Sequence, residues 1–237
     1  EMYSWIDQGG NDITLKPEVT ASVVRSYIQN NLGKVSPINN LYYIDTLFRR
    51  ERPQKGRYRQ FHQFGVESLG SKFPEQDAEV IALAYNLYKY LGLNDLTLKI
   101  NSIGSSDTRK LYKEKLYNYL LPFQNELTQV SQRRLVKNPL RILDTKVEHE
   151  IKILNDAPKI IDCLDKDDKI HFDKVLSLLN KMKVDYFIDH KLVRGLDYYS
   201  RTVFEIQNKS LGAQDALCGG GRYDHLVQNL GGKSTPA

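Results

Sequence analysis

Arginine side chains are concentrated in one short stretch of the chain. Between residues 49 and 59 there are six basic residues and one acid, Glu51. The basic residues are Arg49, Arg50, Arg52, Lys55, Arg57 and Arg59. A guanidinium group binds two phosphate oxygens at once and keeps its charge at physiological pH. This pattern predicts binding of phosphate groups, and the alternative is a basic hairpin that is merely solvated.

The residues that follow this stretch place three kinds of chemistry on one surface. Because side chains alternate between the two faces of a strand, one face carries Phe61, Gln63, Gly65 and Glu67. An aromatic ring, an amide and a carboxylate would then lie side by side. Such a surface is a suitable floor for a nucleotide and a small polar ligand.

Two further segments have residue types that suit a binding site. In the first, Arg194 follows an apolar pair and precedes Gly195, so it can reach into a pocket. The alternative there is a surface turn in which Tyr198 and Tyr199 pack as core aromatics. In the second, the glycine run 219–221 allows close approach of a ligand or a neighbouring strand. It lacks the ending of a P-loop and does not match the dinucleotide fingerprint.

Other classes of chemistry find no support in the sequence. The five histidines have no metal-like pairing, the two cysteines form no CxxC motif, and no Ser-His-Asp or Cys-His arrangement is evident. We therefore expect no protein-held metal site and no covalent catalysis. The residues favour a reaction driven by positioning and electrostatics, as phosphoryl and nucleotidyl transfers are.

The elements that position these residues are predicted from periodicity and from turn signals. Helical spacing predicts helices after Pro17 and over 75–91, and several Lys-rich helices with a break at Asn138-Pro139. Alternating or β-branched runs predict strands over 13–15, 41–48, 60–67, 96–100, 184–188 and 202–207. Strands 41–48 and 60–67 are expected to pair antiparallel across a basic loop at 52–56, and residues 223–230 to form a helix.

The order of these elements predicts an α+β fold: a mixed, mainly antiparallel sheet flanked by helices, with an α-helical insertion domain. The expected division is 1–102 for the first part of the core, 103–182 for the insertion and 183–237 for the second part of the core. A chain of 237 residues with 41% hydrophobic residues can bury a substantial core.

The absence of a long apolar run or a signal-peptide pattern predicts a soluble, cytoplasmic protein with no membrane partner. The net charge of +5 permits polyanionic partners.

Four segments together resemble one family. The stretch from Phe48 to Glu67 resembles the second signature of class II aminoacyl-tRNA synthetases in its histidine-specific form. The segments LVRGLDYYSRTVFE at 192–205 and CGGGRYD at 218–224 resemble the two histidine-specific signatures, and LKPEVTA at 15–21 resembles the amino-acid-binding turn. The likeness to histidyl-tRNA synthetases covers essentially the whole chain. It implies a class II synthetase-type sheet, ATP-dependent activation of L-histidine with Mg²⁺, transfer of the histidyl group to the 3′ end of tRNA(His), and a homodimer.

The resemblance also implies a role for each matching residue. The residues implied to bind histidine are Glu18, Thr20 and Gln63 for the α-amino group, Glu67 and Tyr199 for the imidazole, and Arg194, Tyr198 and Tyr223 in the same pocket. Those implied to bind ATP are Arg49 (α-phosphate, and also the histidine carboxylate), Glu51 (adenine edge or metal), Arg57 (γ-phosphate) and Phe61 (adenine stacking). Arg49 and Arg194 are the implied catalytic residues, because both would neutralise charge at the α-phosphoryl group. The implied tRNA contacts on the insertion are Arg133, Arg134, Lys137 and Arg141, which can otherwise be read as a solvated face.

The sequence departs from the family pattern in four places. Val19 stands where these enzymes usually have glycine, and Asp45-Thr46 stands where they have Gly-Pro. The chain begins after the expected first signature and stops before the third, which carries an ATP-binding arginine. On that basis these residues alone are expected to activate histidine poorly.

Two other functions stay open at this point. One is the regulatory subunit of ATP phosphoribosyltransferase, a paralogue that does not charge tRNA, and the other is a module that senses uncharged tRNA without catalysis. The presence of Arg49, Glu51, Arg57, Phe61 and Arg194 favours the enzyme.

Overall fold

The computed structural model describes residues 2–51, 56–195, 198–208 and 215–237. Most of the predicted basic loop, with Arg52 and Lys55, lies outside the described residues, as do residues 196–197 of the 192–205 segment. The chain forms two compact units. The first comprises Glu1–Lys72, Leu211–Asp215 and Asp224–Ala237, and the second comprises Phe73–Ser210 and Ala216–Tyr223.

The helices and strands follow one another in this order: β1 (Ser4–Ile6), β2 (Asp12–Thr14), α1 (Thr20–Gln29), α2 (Leu32–Val35), β3 (Asn39–Phe48), β4 (Gln60–Leu69), α3 (Pro74–Tyr90), β5 (Leu96–Ser102), α4 (Ser106–Leu120), α5 (Gln129–Lys137), α6 (Glu148–Ile153), α7 (Lys166–Lys181), β6 (Phe187–Ile188), β7 (Ser200–Asn208), β8 (Ala216–Arg222) and α8 (Leu226–Asn229). Short 3₁₀ helices span Leu121–Glu126, Pro139–Ile142 and Ile160–Cys163.

The first unit is built around the β3-β4 hairpin. The two strands pair antiparallel along their whole length, from Asn39 opposite Leu69 to Phe48 opposite Gln60, as the alternating pattern predicted. Leu47 and Leu69 on this hairpin are fully buried. The same unit contains α1, which buries Val24 and Tyr27, and the short helix α8.

The second unit contains a four-stranded sheet in the order β6-β5-β7-β8. Strands β5 and β6 are parallel, whereas β5-β7 and β7-β8 are antiparallel. Helices α3 and α7 pack with the sheet in one apolar core that includes Ile81, Leu98 and Phe172. Burial of such side chains stabilises the unit by about 1.5–3 kcal/mol each. The prediction of a mixed, mainly antiparallel sheet flanked by helices is confirmed.

Helices occupy most of the region between β5 and β6, and they belong to the same compact unit as the sheet. Helix α5 ends at Lys137 and a 3₁₀ helix begins at Pro139, so the predicted break is present. The three-part division 1–102, 103–182 and 183–237 stays a prediction. Within the described residues, no helix has both the length and the apolar character required to cross a bilayer.

Two predicted elements are wrong in extent. The strand expected over 184–188 is reduced to Phe187–Ile188, because α7 ends in a Schellman motif. Lys183 there has a φ of 57°, and the amide of Val184 donates to the carbonyl of Leu179 at 3.0 Å. Val184 is thus drawn into the core instead of a strand. The helix expected over 223–230 spans only Leu226–Asn229.

Candidate active site

Arg49 lies just after β3 and is held by several groups of the first unit. Its Nε donates to the carbonyl oxygen of Pro17 at 2.8 Å, and its Nη2 donates to Gln63 Oε1 at 3.3 Å. The guanidinium also lies over the ring of Phe61, 5.0 Å from the centroid, within cation-π range. The structure therefore brings together three of the residues that the sequence singled out.

The amide of Gln63 is oriented by two partners. Its oxygen accepts from Arg49, and its Nε2 donates to the hydroxyl of Tyr43 at 2.7 Å. Tyr43 is paired with Gly65 across the hairpin, and a Cβ added at Gly65 would stand closer than 3.0 Å to the tyrosine ring. Tyr43 was not identified from the sequence. The available signal was a glycine in mid-strand, which marks a close approach of a neighbouring group.

Glu67 and Thr20 form a second pair in this unit. The Glu67 side chain is buried, with 7% of the residue exposed, and its Oε1 accepts from the Thr20 hydroxyl at 2.7 Å. Thr20 is the first residue of α1, and the carboxylate of Glu18 accepts from the amide of Ala21 at 3.2 and 3.3 Å. Glu18 thereby satisfies one amide of the first helical turn, where a negative charge is favourable.

The departures at Val19, just before α1, and at Asp45-Thr46, on β3, have simple structural outcomes. Val19 has a φ of −119° and is 5% exposed, so its backbone does not require glycine and its side chain packs in the core. Asp45 stays in the regular β3 ladder opposite Gln63 and forms an ion pair with Lys16. The hydrogen bond from Lys16 lowers the pKa of Asp45 below its ordinary value.

Glu51 and Arg57 form an ion pair with a separation of 2.8 Å between Oε2 and Nη1. Their side chains are 30% and 41% exposed. Ion pairs this accessible contribute about 0–1 kcal/mol to stability. The pair can therefore be exchanged at little cost for contacts to a phosphate or another ligand.

In the second unit, Arg194 is paired with Glu205. Arg194 Nη1 lies 2.7 Å from Glu205 Oε2, and Gln207 Nε2 donates to Glu205 Oε1 at 2.7 Å. A Cβ added at Gly219, which faces Glu205 across β7 and β8, would stand closer than 3.0 Å to the guanidinium. The Nε of Arg194 is buried and has no hydrogen-bond partner among the described residues. Glu205 was part of the 192–205 segment but had no predicted role.

Three tyrosines form an aromatic cluster in the same unit. The ring centroids of Tyr198 and Tyr199 are 4.8 Å apart, and those of Tyr198 and Tyr223 are 5.7 Å apart. Tyr199 and Tyr223 are buried and Tyr198 is half-buried. The rings of Tyr198 and Tyr199 are in contact, and the cluster also includes Tyr223, which directly follows β8.

Beside this cluster lies a buried ionic network that the sequence did not reveal. Asp77 Oδ1 accepts from Arg222 Nη2 at 2.6 Å and from Nε at 3.0 Å, while Oδ2 accepts from Thr202 at 2.6 Å and lies 2.8 Å from His171 Nε2. Burial raises the pKa of Asp77, but the hydrogen bond from His171 and the charge of Arg222 outweigh it and hold the pKa below its ordinary value of 3.8. The network joins α3, α7, β7 and β8.

Comparisons with known proteins show the family of this chain. A family model described as histidyl-tRNA synthetase matches residues 1–237. The curated histidine-tRNA ligase of Protochlamydia amoebophila (strain UWE25) is 51% identical over 237 residues, which are 100% of this chain and 56% of that protein. The chain thus spans about half the length of the curated relatives it matches.

Two solved structures are similar in fold to this chain. The structure of apo S. aureus histidyl-tRNA synthetase matches with a TM-score of 0.76 and 40% identity, over 99% of this chain and 56% of that one. An ATP phosphoribosyltransferase regulatory subunit/histidyl-tRNA synthetase from Bacillus halodurans matches with a TM-score of 0.66 and 23% identity, over 99% of this chain and 64% of that one. The second likeness concerns the fold alone.

Proposed function

We propose that this chain, which belongs to the histidyl-tRNA synthetase family, is the catalytic part of a histidine-tRNA ligase. The protein would activate L-histidine with ATP and transfer the histidyl group to the 3′ end of tRNA(His). The observation that carries the proposal is the set of polar groups on one hairpin face, where Arg49 is fixed by Gln63 and the buried Glu67 is paired with Thr20.

In the first half-reaction a carboxylate oxygen of histidine attacks the α-phosphorus of ATP. The bond from that phosphorus to the bridging β-phosphate oxygen breaks, pyrophosphate leaves, and histidyl-adenylate forms. Arg49 neutralises charge on the α-phosphoryl oxygens, which is the main contribution that a protein makes to such transfers. Its fixed position favours this role, because a guanidinium that is already oriented needs little reorganisation in the transition state.

Three other residues of the first unit would hold ATP. Arg57 leaves its exposed pairing with Glu51 to bind the γ-phosphate, and Glu51 then holds the adenine edge or a metal ion. Phe61 stacks on adenine, and its ring already lies against a flat cation, the Arg49 guanidinium.

Mg²⁺ fits this set of donors. The described residues contain no group of three or more His, Cys, Asp or Glu side chains that would form a protein cage. Mg²⁺ is usually held by one or two carboxylates together with substrate phosphates and water, so Glu51 as a single carboxylate ligand is in keeping with its preferences. When bound, the ion offsets negative charge on the phosphates.

Histidine would be read by polar groups that are buried or half-buried. Glu18, Thr20 and Gln63 hold the α-amino group, and Glu67 accepts a hydrogen bond from the imidazole. The second unit would contribute Tyr199 for the imidazole, Tyr198 and Tyr223 as further histidine-binding residues, and Arg194 to stabilise charge at the α-phosphoryl group. Buried polar groups reject analogues that lack the matching ring nitrogen, because such analogues would leave those groups unpaired.

Transfer to tRNA requires a surface for its phosphate backbone. Arg133 and Lys137 line an open depression on α5 together with Gln129, Gln132 and Val136. Arg134 donates to the carbonyl of Arg141 at 3.0 Å, so it also braces the local fold. We propose that the acceptor arm of the tRNA is contacted by Arg133, Arg134, Lys137 and Arg141. We also propose that the active form is a cytoplasmic homodimer.

The test is pyrophosphate exchange into ATP, measured with each of the twenty amino acids on the natural protein that contains these residues. Exchange that depends on histidine alone is expected. A well-folded protein without histidine-dependent exchange would reject the proposal and favour the regulatory or tRNA-sensing function.

A substitution at Gly65 tests the hairpin geometry. Gly65→Ala places a methyl group against the Tyr43 ring, so the ring must move and its hydrogen bond to Gln63 is lost. We expect the KM for histidine to rise by about tenfold, the effect of one lost hydrogen bond to an oriented polar group. Tyr43→Phe, which removes only the hydroxyl, should raise it by a smaller factor.

The matched control for this pair is His62→Ala, because His62 is exposed on the other face of β4. Its KM for histidine should equal that of the unchanged protein. Equal KM values for Gly65→Ala and His62→Ala would show that Tyr43 does not support histidine binding.

A further inference from the structure

The backbone carbonyl of Tyr199 accepts a hydrogen bond from the helical region of the second unit. Arg109, on the first turn of α4, donates from Nη1 to the Tyr199 carbonyl oxygen at 2.8 Å. Tyr199 itself is 8% exposed. A charged donor thus fixes the backbone of the residue proposed to contact the imidazole.

The backbone just after Tyr199 has an uncommon conformation. Arg201 has a φ of 50°, and the β7-β8 register shifts between Ser200 and Val203. A left-handed residue other than glycine persists only where its surroundings hold it, and such irregular positions in strands re-aim nearby side chains. Two backbone hydrogen bonds hold Arg201: its amide donates to Gly104 O at 2.9 Å, and its carbonyl accepts from Ile103 N at 2.7 Å.

A buried carboxylate holds the same corner through the Arg201 side chain. Arg201 Nε donates to Asp168 Oδ1 at 2.9 Å, and Asp168 is 1% exposed. The other oxygen of Asp168 accepts from the amide of Ser105 at 2.6 Å and from the hydroxyl of Thr108 at 3.3 Å. The first turns of α4 and α7 are therefore both linked to residues 199–201.

We propose that Arg109 and Asp168 are positioning residues that fix Tyr199 for histidine recognition by holding the irregular corner at Arg201. This inference rests on the proposed function, since it takes Tyr199 as a contact of the imidazole. It assigns to the helical region a role in amino-acid binding in addition to its proposed contact with tRNA.

Loss of Arg109 should weaken the binding of histidine but not that of ATP. Arg109 donates to the Tyr199 backbone and belongs to the second unit, so its loss should let the tyrosine shift while the ATP-binding residues on β3 and β4 of the first unit keep their own contacts. A displacement of about 1 Å in a substrate-positioning group is enough to reduce activity substantially. The change should therefore fall on the KM for histidine and leave the KM for ATP unaltered.

The experiment compares Arg109→Leu, Arg109→Lys and the control Lys110→Leu in the natural protein that contains these residues. Lys110 is the neighbouring exposed residue of α4. Histidine-dependent pyrophosphate exchange gives the KM for each substrate, and amide hydrogen exchange of residues 198–203 reports how firmly the corner is held. Thermal denaturation verifies that each variant is folded.

For Arg109→Leu we expect the KM for histidine to rise by about tenfold, with faster amide exchange over 198–203. Arg109→Lys should lie between this variant and the unchanged protein, because a lysine can still donate to the carbonyl. Lys110→Leu should match the unchanged protein in both measurements.

Three results would overturn the inference. The first is an unchanged KM for histidine with unchanged amide exchange in Arg109→Leu. The second is an equal rise in the KM values for histidine and ATP, together with faster amide hydrogen exchange throughout the second unit. That result would indicate that the substitution destabilises the whole unit. The third is faster exchange at 198–203 with no change in the KM for histidine. If the unchanged protein shows no histidine-dependent pyrophosphate exchange, the proposed function is rejected. The amide hydrogen exchange data then still decide whether Arg109 holds the corner at Arg201.

Discussion

Arg194→Ala is expected to lower the kcat for histidine-dependent pyrophosphate exchange by about a hundred- to a thousandfold, the usual effect of removing one charged or hydrogen-bonding group that stabilises a transition state. The side chain is already positioned, because Glu205 holds one end of the guanidinium and the backbone at Gly219 forms the wall beside it. Charge that develops on the α-phosphoryl group would meet a fixed cation, and alanine removes that cation.

The matched control is Arg25→Ala, an exposed arginine of α1, whose kcat should be unchanged. Glu205→Gln serves as an intermediate case, because the arginine remains but its charged partner is lost. We expect a kcat about tenfold lower in that variant, in line with the loss of a hydrogen bond between charged groups. A loss of less than tenfold for Arg194→Ala would exclude Arg194 as a catalytic residue.

Asp77→Asn is expected to lower the free energy of unfolding by about 3–5 kcal/mol, because it removes the buried carboxylate that balances the charge of Arg222. Arg222 and Asp77 have side chains that are 2% and 6% exposed, so water cannot replace the lost contacts. Denaturant unfolding followed by circular dichroism measures the effect. The control is Glu75→Gln on the same helix, whose carboxylate is 58% exposed and lies 3.9 Å from Lys174. The control should change the free energy of unfolding by less than about 0.5 kcal/mol.

The contribution of Asp77 also predicts a pH dependence. Its pKa in the folded protein lies below its ordinary value of 3.8. The stabilisation is therefore fully present above pH 3.8 and is lost as the pH falls through the folded-state pKa. The difference in unfolding free energy between the unchanged protein and Asp77→Asn should be constant near neutral pH and should shrink below pH 3.8. A difference that grows on acidification would contradict the assignment of an ionised Asp77.

The hairpin and most of the helices could be predicted from local sequence patterns. Strands β3 and β4 have alternating side chains and a polar loop between them, and helix α3 has apolar residues at helical spacing after Pro74. The face shared by Phe61, Gln63 and Glu67 follows from the period of a strand alone. These features depend on residues that are close together in the chain, so they can be predicted from local sequence patterns.

The residues that hold the site in place could not be predicted in this way. Tyr43 lies over Gly65 because the hairpin register brings them opposite each other. Arg194 pairs with Glu205 beside Gly219, which lies opposite Glu205 on the neighbouring strand β8. The strand predicted over 184–188 is shortened because α7 ends in a left-handed turn at Lys183, which places Val184 in the core.

The sequence by itself determined which chemical groups this protein carries: arginines of a type suited to phosphates, a carboxylate, an amide and tyrosines of types suited to a small polar ligand, and the order of the elements that carry them. Only the tertiary structure decided which of these groups are held rigidly and by what. Asp77 and Arg222 lie 145 residues apart, and Arg109 and Tyr199 lie 90 residues apart. Contacts over such separations leave no periodic signal, because they are selected by the packing of whole helices and strands rather than by the conformation of a local segment.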